Sequence, residues 1–205
     1  MITFGVSSDG DRIAEADSPA PTGVPVTALV EAAVAGGARR LWLHGGDHQG
    51  DGFHLRGGYT LMRGQVTQPP SPLPEVVEIT DTATIRQVFA DCYRGQWGHH
   101  QPRADYLPDP AWIHLGLRVA DMWIGLCRVH RQRRYVDGPG IVPGHRDVDR
   151  YAQLLGGALC LLGPGSVEME SWGDEPAVLD RYQQMGLQVV THDAGWECRL
   201  PPQET

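Results

Sequence analysis

The 205-residue chain contains no lysine and no asparagine, and all 17 of its basic side chains are arginine. Without lysine nothing can form a Schiff base, act as an amine general base or complete a lysine-bearing phosphate loop. Pyridoxal enzymes and lysine-bearing P-loops are therefore excluded. Cysteine is scarce: Cys92, Cys127, Cys160 and Cys198 are widely spaced, form no C-x-x-C and sit among apolar neighbours. That is the pattern of reduced core thiols in a cytoplasmic protein. No apolar run approaches the ~20 residues needed to cross a bilayer. The opening MITFGVSSDGDR lacks a basic stretch followed by an apolar one, so no secretory signal is expected. Positive charge is also short, with 25 acidic residues against 17 basic and a net charge of −8. Neither a nucleic acid nor a membrane surface is expected as a partner.

What is present is enough for a packed core: 41% of the residues are hydrophobic and only 20% charged. The length suits one domain, with room for a partial second unit. Nine histidines invite a metal reading, but the spacing does not support it. His44-Gly45-Gly46-Asp47-His48 is interrupted by two glycines and cannot present an i, i+4 helical face. Adjacent His99 and His100 would point apart on any regular element. No H-E-x-x-H and no mixed Cys/His spacing occurs, and no metal is expected.

Gln68-Pro69-Pro70-Ser71-Pro72-Leu73-Pro74 cannot be helix or central strand, and it reads as an extended linker at 69–74 between units at 1–68 and 75–205. After it, Glu75–Ile79 alternates as a strand. Asp81-Thr82-Ala83-Thr84 opens a helix whose apolar face is Ile85, Val88, Phe89 and Cys92. Residues 93–110 read as an irregular loop. Trp112–Val119 and Met122–Val129 form a hairpin about Ala120-Asp121, and Arg133–Val142 is a strand broken at Gly138-Pro139-Gly140. Val148–Leu162 has a helical apolar stripe. Ser166–Ser171 is a strand, Pro176–Met185 a helix, and Leu187–His192 and Trp196–Leu200 two closing strands. The order is that of a mixed α/β domain. The arginines at 128, 131, 133 and 134 read as a solvated edge strand protected by charge.

The two units echo one another. Leu29–Ala33, then Arg40–Asp47, then Leu55–Tyr59 run helix, strand, Gly-Asp, helix, Gly-apolar, strand. Leu154–Ala158, Val167–Asp174 and Tyr182–Leu187 repeat that order.

Ile141-Val142-Pro143-Gly144-His145-Arg146-Asp147-Val148-Asp149-Arg150-Tyr151, followed by Leu154-Leu155, resembles the strand-to-helix turn of the GNAT superfamily of N-acyltransferases. Trp172-Gly173-Asp174, Tyr182 through Leu187, Gln96-Trp97-Gly98 and Ile124-Gly125-Leu126 match further elements of that family in order. The resemblance covers about residues 75–200, with 24–66 as a partial copy, and so is similar to tandem GNAT proteins. It implies a central mixed sheet flanked by helices and transfer of an acyl group from acetyl-CoA or another acyl carrier to a small-molecule amine. It also leaves room for a homodimer.

In the family, the turn cradles the CoA pyrophosphate through the pattern Arg/Gln-x-x-Gly-x-Gly/Ala, with helix N–H groups aimed at the anion. The resemblance thus assigns Ile141, Val142, Arg146, Asp149, Arg150 and Tyr151 to the donor. Arg146 keeps the pattern, whereas Asp149 and Tyr151 stand at its two small-residue positions, where a carboxylate repels phosphate and a phenol fills its space. Alternatively, Asp149 is a helix cap. Tyr182 stands where the family places an acid for the leaving thiolate. Asp137 and Glu170 are candidate bases, with Glu168 a weaker substitute on the same strand face. Trp97, His99, His100 and Arg103 fall where the acceptor pocket forms. The alternative function is a GNAT-fold protein that has lost CoA and serves as a ligand-binding or partner protein, or runs a CoA-independent reaction.

Overall fold

A computed structural model describes residues 2–6, 10–17, 24–93, 109–172 and 175–201. The N-terminal segment contributes β1 (Ile2–Val6), β2 (Arg12–Asp17), α1 (Val26–Ala35), β3 (Arg40–His44), one 3-10 turn (Gln49–Asp51) and β4 (His54–Val66). After the prolines come β5 (Val76–Glu78), α2 (Thr82–Tyr93), β6 (Trp112–Val119), β7 (Met122–His130), β8 (Tyr135–Ile141) and α3 (Val148–Leu162). β9 (Gly165–Trp172), α4 (Pro176–Gln184) and β10 (Leu187–Arg199) close the chain. This is a mixed α/β architecture, as the sequence implies. Among the described residues, no helix is long and apolar enough to cross a membrane.

Local chemistry explains where the helices begin and end. The Asp81 carboxylate accepts from the Thr84 N–H at 2.7 Å and so starts α2. α3 is capped by Asp147, which accepts from the Arg150 N–H at 2.8 Å, and it stops at Gly163 with φ 68°. Its inner stripe, including Tyr151, Leu154, Leu155, Ala158 and Leu159, is buried against Val136, Ile141, Val167 and Met169 of the sheet. Pro176 occupies the first turn of α4, where a missing N–H costs nothing.

All ten strands join one sheet in the order β1-β2-β3-β10-β4-β9-β8-β7-β6-β5. β1 to β4 and β7 to β10 repeat one pattern. An antiparallel pair (β1/β2, β7/β8) is followed by a parallel crossover through a helix (β2/β3 over α1, β8/β9 over α3). Each pattern ends in a 13-residue strand that crosses to the other half: β4 pairs with β9, and β10 pairs with β3. β4 and β10 then pair antiparallel with each other at the centre. Residues before and after the prolines therefore share one sheet. The linker has to run from the centre to the far edge, about five strand spacings or ~24 Å. Nine extended residues cover ~28 Å. It passes over α3, where a Cβ at Gly156 would lie 3.8 Å from both Pro70 and Leu73.

Four expectations need correction. The closing segment is one strand, because Asp193-Ala194-Gly195 makes a bulge in β10 and not a turn. Gly138-Pro139-Gly140 lies within β8 without breaking it. The second helix of the N-terminal echo is a single 3-10 turn. The arginine-rich strand is no edge, since β7 lies between β6 and β8. Arg134 caps the end of α3, donating to Leu162 O at 2.7 Å and Gly163 O at 2.8 Å.

The central β4/β10 seam tolerates no side chain at Gly64, where a Cβ would meet the Gly186 carbonyl oxygen at 2.1 Å. Gly64→Ala is expected to cost about 2–4 kcal/mol in urea unfolding. Gly50→Ala, with nothing within 4 Å of the added Cβ, should stay within about 0.5 kcal/mol of the parent.

Candidate active site

Strand alternation sorts β8 and β9 into two faces. Val136, Val167 and Met169 enter the core beneath α3 and α4, while Tyr135, Asp137, Glu168 and Glu170 project from the opposite face. β8 and β9 pair over only three positions, Tyr135–Asp137 against Glu168–Glu170. The corresponding pair β2/β3 stays in register over five. Over the paired stretch of β8 and β9 lies a cleft of about 650 Å³, walled by the rings of Trp112 and Tyr135 and lined by charged groups from β4, β7, β8 and β9.

Glu170 is its focal group. The Tyr59 hydroxyl donates to Glu170 Oε1 at 2.9 Å, and the Tyr135 hydroxyl donates to the same carboxylate. Burial, then the neighbouring Glu170, pushes the Tyr59 phenol up to about 12, and the same causes push Tyr135 up as well. Both phenols therefore stay protonated donors at neutral pH. Asp137 is ion-paired with Arg128, whose guanidinium carbon lies 4.9 Å over the Trp112 ring. Trp112 packs edge-on against Tyr135 at 5.8 Å. Glu168 is bridged to Arg63 of β4. Buried His114 is held down to about 4 by desolvation and then by Arg128, so it is neutral near pH 7.

The turn from β8 into α3 is held by its own side chains. Arg146 donates to Ile141 O and to Cys92 O, both at 3.0 Å. Arg150 donates to His145 O at 2.9 Å and lies 3.1 Å from an Asp147 oxygen. Asp149 is exposed in the first turn of α3.

No family model matches this chain, and no curated protein matches it. Solved structures do match. A GCN5-related N-acetyltransferase from Anabaena variabilis superposes with a TM-score of 0.52 at 10% identity, over 96% of this chain and 57% of that one. Eis1 from Mycobacterium abscessus gives 0.51 at 18% identity, over 96% and 59%. A conserved protein from Enterococcus faecalis gives 0.53 at 10% identity, over 98% and 58%. This chain has the GNAT fold. It spans less than two thirds of the length of these three proteins.

In a GNAT fold the start of α3 faces the phosphates of acyl-CoA, and here the residues do not fit them. Asp147 already occupies the Arg150 N–H, and Asp149 adds a second carboxylate in the same turn. The Arg146 and Arg150 guanidinium groups are bonded to backbone carbonyls. Like charges about 4 Å apart repel by about 1 kcal/mol in water and about 4 kcal/mol near a protein surface. Asp147, not Asp149, is the cap. Tyr151 lies in the core and does not fill the phosphate space.

Of the residues that sequence reasoning assigns to the site, Asp137 and Glu170 come together in the cleft, with Glu168 beside them. Tyr182 is fully buried on the inner side of α4, on the other face of the sheet from Glu170. Ile141 is buried and Val142 half-buried at the end of β8. Trp97, His99, His100 and Arg103 lie outside the described residues. Sequence reasoning missed Tyr59, Trp112, His114 and Tyr135. Tyr135 had a signal, since it stands two residues before Asp137 on one strand face. Tyr59 had none, because its strand reaches the cleft only through the crossing of β4.

The depressed His114 carries a pH dependence. As pH falls, the unfolded chain takes up this proton first, from about 6.5, so stability is lost between there and about 4. His114→Gln should remove about 2–3 kcal/mol of the stability difference between pH 7 and pH 4. Urea midpoints of both proteins at the two pH values measure it.

Proposed function

We propose that the chain is a cytoplasmic N-acyltransferase that acylates a small-molecule amine in the β8/β9 cleft. The observation that supports this reading is the Glu170 carboxylate, clasped by two tyrosine hydroxyls at the last position where β8 and β9 pair. Glu170 takes the proton of the bound ammonium and frees its lone pair. The nitrogen then bonds to the acyl carbon of a thioester as the acyl–sulfur bond breaks, and it gives up its second proton to solvent. Tyr59 and Tyr135 hold the carboxylate in one orientation throughout, and the leaving thiolate takes its proton from solvent. In this reading the N-terminal segment 1–68 is a truncated copy of the unit at 75–205, retained because it supplies Tyr59 and Arg63 to the cleft. Acyl-CoA or another acyl carrier is the donor class, and the α3 turn favours one recognised without its pyrophosphate.

A second reading, a GNAT-fold protein that binds a ligand and transfers nothing, draws support from Asp147 and Asp149 at the start of α3. One experiment separates the two. The protein is incubated with primary amines and either acetyl-CoA or S-acetylpantetheine, and N-acetyl product is followed by mass spectrometry. Transfer from both donors with similar KM is expected, and Glu170→Gln should lower kcat by about 10²- to 10³-fold without changing the melting temperature. Absence of product from either donor supports the second reading.

A further inference from the structure

The cleft is lined by four arginines and three carboxylates. Six of these seven groups are matched. Asp137 pairs with Arg128 and Glu168 with Arg63, Glu170 accepts from the two tyrosines, and Arg134 is spent on the carbonyls of Leu162, Gly163 and Ser166. The seventh is Arg133, an exposed residue of the β7–β8 turn. Its guanidinium makes no hydrogen bond or ion pair among the described residues. A chain with a net charge of −8 thus presents an uncommitted cation to the cleft.

Its position along the cleft matters as much as its charge. Tyr135 pairs with Glu168, and Glu170 lies two residues further along β9. Arg133 precedes Tyr135, so the cation and the Glu170 carboxylate stand at opposite ends, at least about 7 Å apart along the strand. Between them the wall is formed by the Trp112 and Tyr135 rings, beside the mutually neutralised Arg63–Glu168 pair. Carboxylate, aromatic wall and guanidinium in that order complement a ligand with an ammonium at one end, a hydrocarbon middle and an anion at the other.

We infer that the acceptor class is an amino acid with well-separated ends, an amine carrying a distal carboxylate, and that Arg133 is the residue selecting it. The amine end rests on the acyl-acceptor reading given above, whereas the anion end rests on Arg133 alone. A guanidinium–carboxylate pair at the cleft mouth should favour the anionic ligand by about tenfold or more.

Binding without any acyl donor tests this. 6-Aminohexanoate, hexylamine and hexanoate are titrated calorimetrically into the parent, Arg133→Gln and Glu170→Gln proteins. The expected result is that 6-aminohexanoate binds the parent at least about tenfold tighter than hexylamine. Arg133→Gln should abolish that advantage and leave hexylamine unchanged, and Glu170→Gln should weaken both amines. Equal binding of 6-aminohexanoate and hexylamine to the parent, or an advantage that survives Arg133→Gln, overturns the inference. Binding of hexanoate as tight as 6-aminohexanoate, lost in Arg133→Gln, upholds the anion subsite and overturns the amine reading of Glu170. Absence of binding by all three overturns the ligand class.

Discussion

The structure depends on the exchange of two strands. β4 leaves the N-terminal segment to pair with β9, and β10 leaves the C-terminal one to pair with β3. Neither half can then complete its sheet alone. Without β4, β9 and β10 would present unpaired edges at the middle of the molecule, a state that invites association with other chains. The small N-terminal segment, too short to bury a core unaided, gains stability from the same crossing. The proline linker fits this constraint: it must be long and stiff enough to carry the chain over α3 from the centre to the far edge.

The crossing also builds the site. β9 has β8 on one side and β4 on the other, so Glu170 can receive a hydroxyl from each neighbour. Tyr135 comes from β8, the parallel neighbour, and Tyr59 from β4, the antiparallel one. Around Glu170, Arg128 holds Asp137, and burial followed by the Arg128 charge keeps the neighbouring His114 neutral near pH 7.

Local chemistry was readable in advance where it was self-contained. α3 runs over Val148–Leu162 as its stripe demands, between Asp147 and Gly163, because capping and periodicity are properties of adjacent residues. The β6–β7 hairpin follows from alternation about Ala120-Asp121 in the same way. Glu170 and Asp137 were legible as candidate bases because the family resemblance puts them on the strand entering the cleft and on its neighbour, and parity within β9 adds Glu168. What sequence could not convey was destination. Nothing in His54–Val66 says that its partner is β9, more than a hundred residues away, and Tyr59 was invisible for that reason. The arginine run misled because charge patterning suggests a solvated edge, whereas Arg128 and Arg134 spend their donors on Asp137 and on the carbonyls ending α3. At Asp193-Ala194-Gly195, turn-forming residues absorb a bulge within a strand held on both sides.

The central claim is that the crossed strands make one cooperative body on which the Glu170 clasp is built. Native-state hydrogen exchange in low urea tests it most directly. The account predicts that amides of β4, β9 and β10 exchange through one opening with a common free energy, equal to that of global unfolding. Exchange of β4 at markedly lower free energy, with β8 and β9 still protected, would show that the N-terminal segment only leans on a self-sufficient domain. That result would contradict the account.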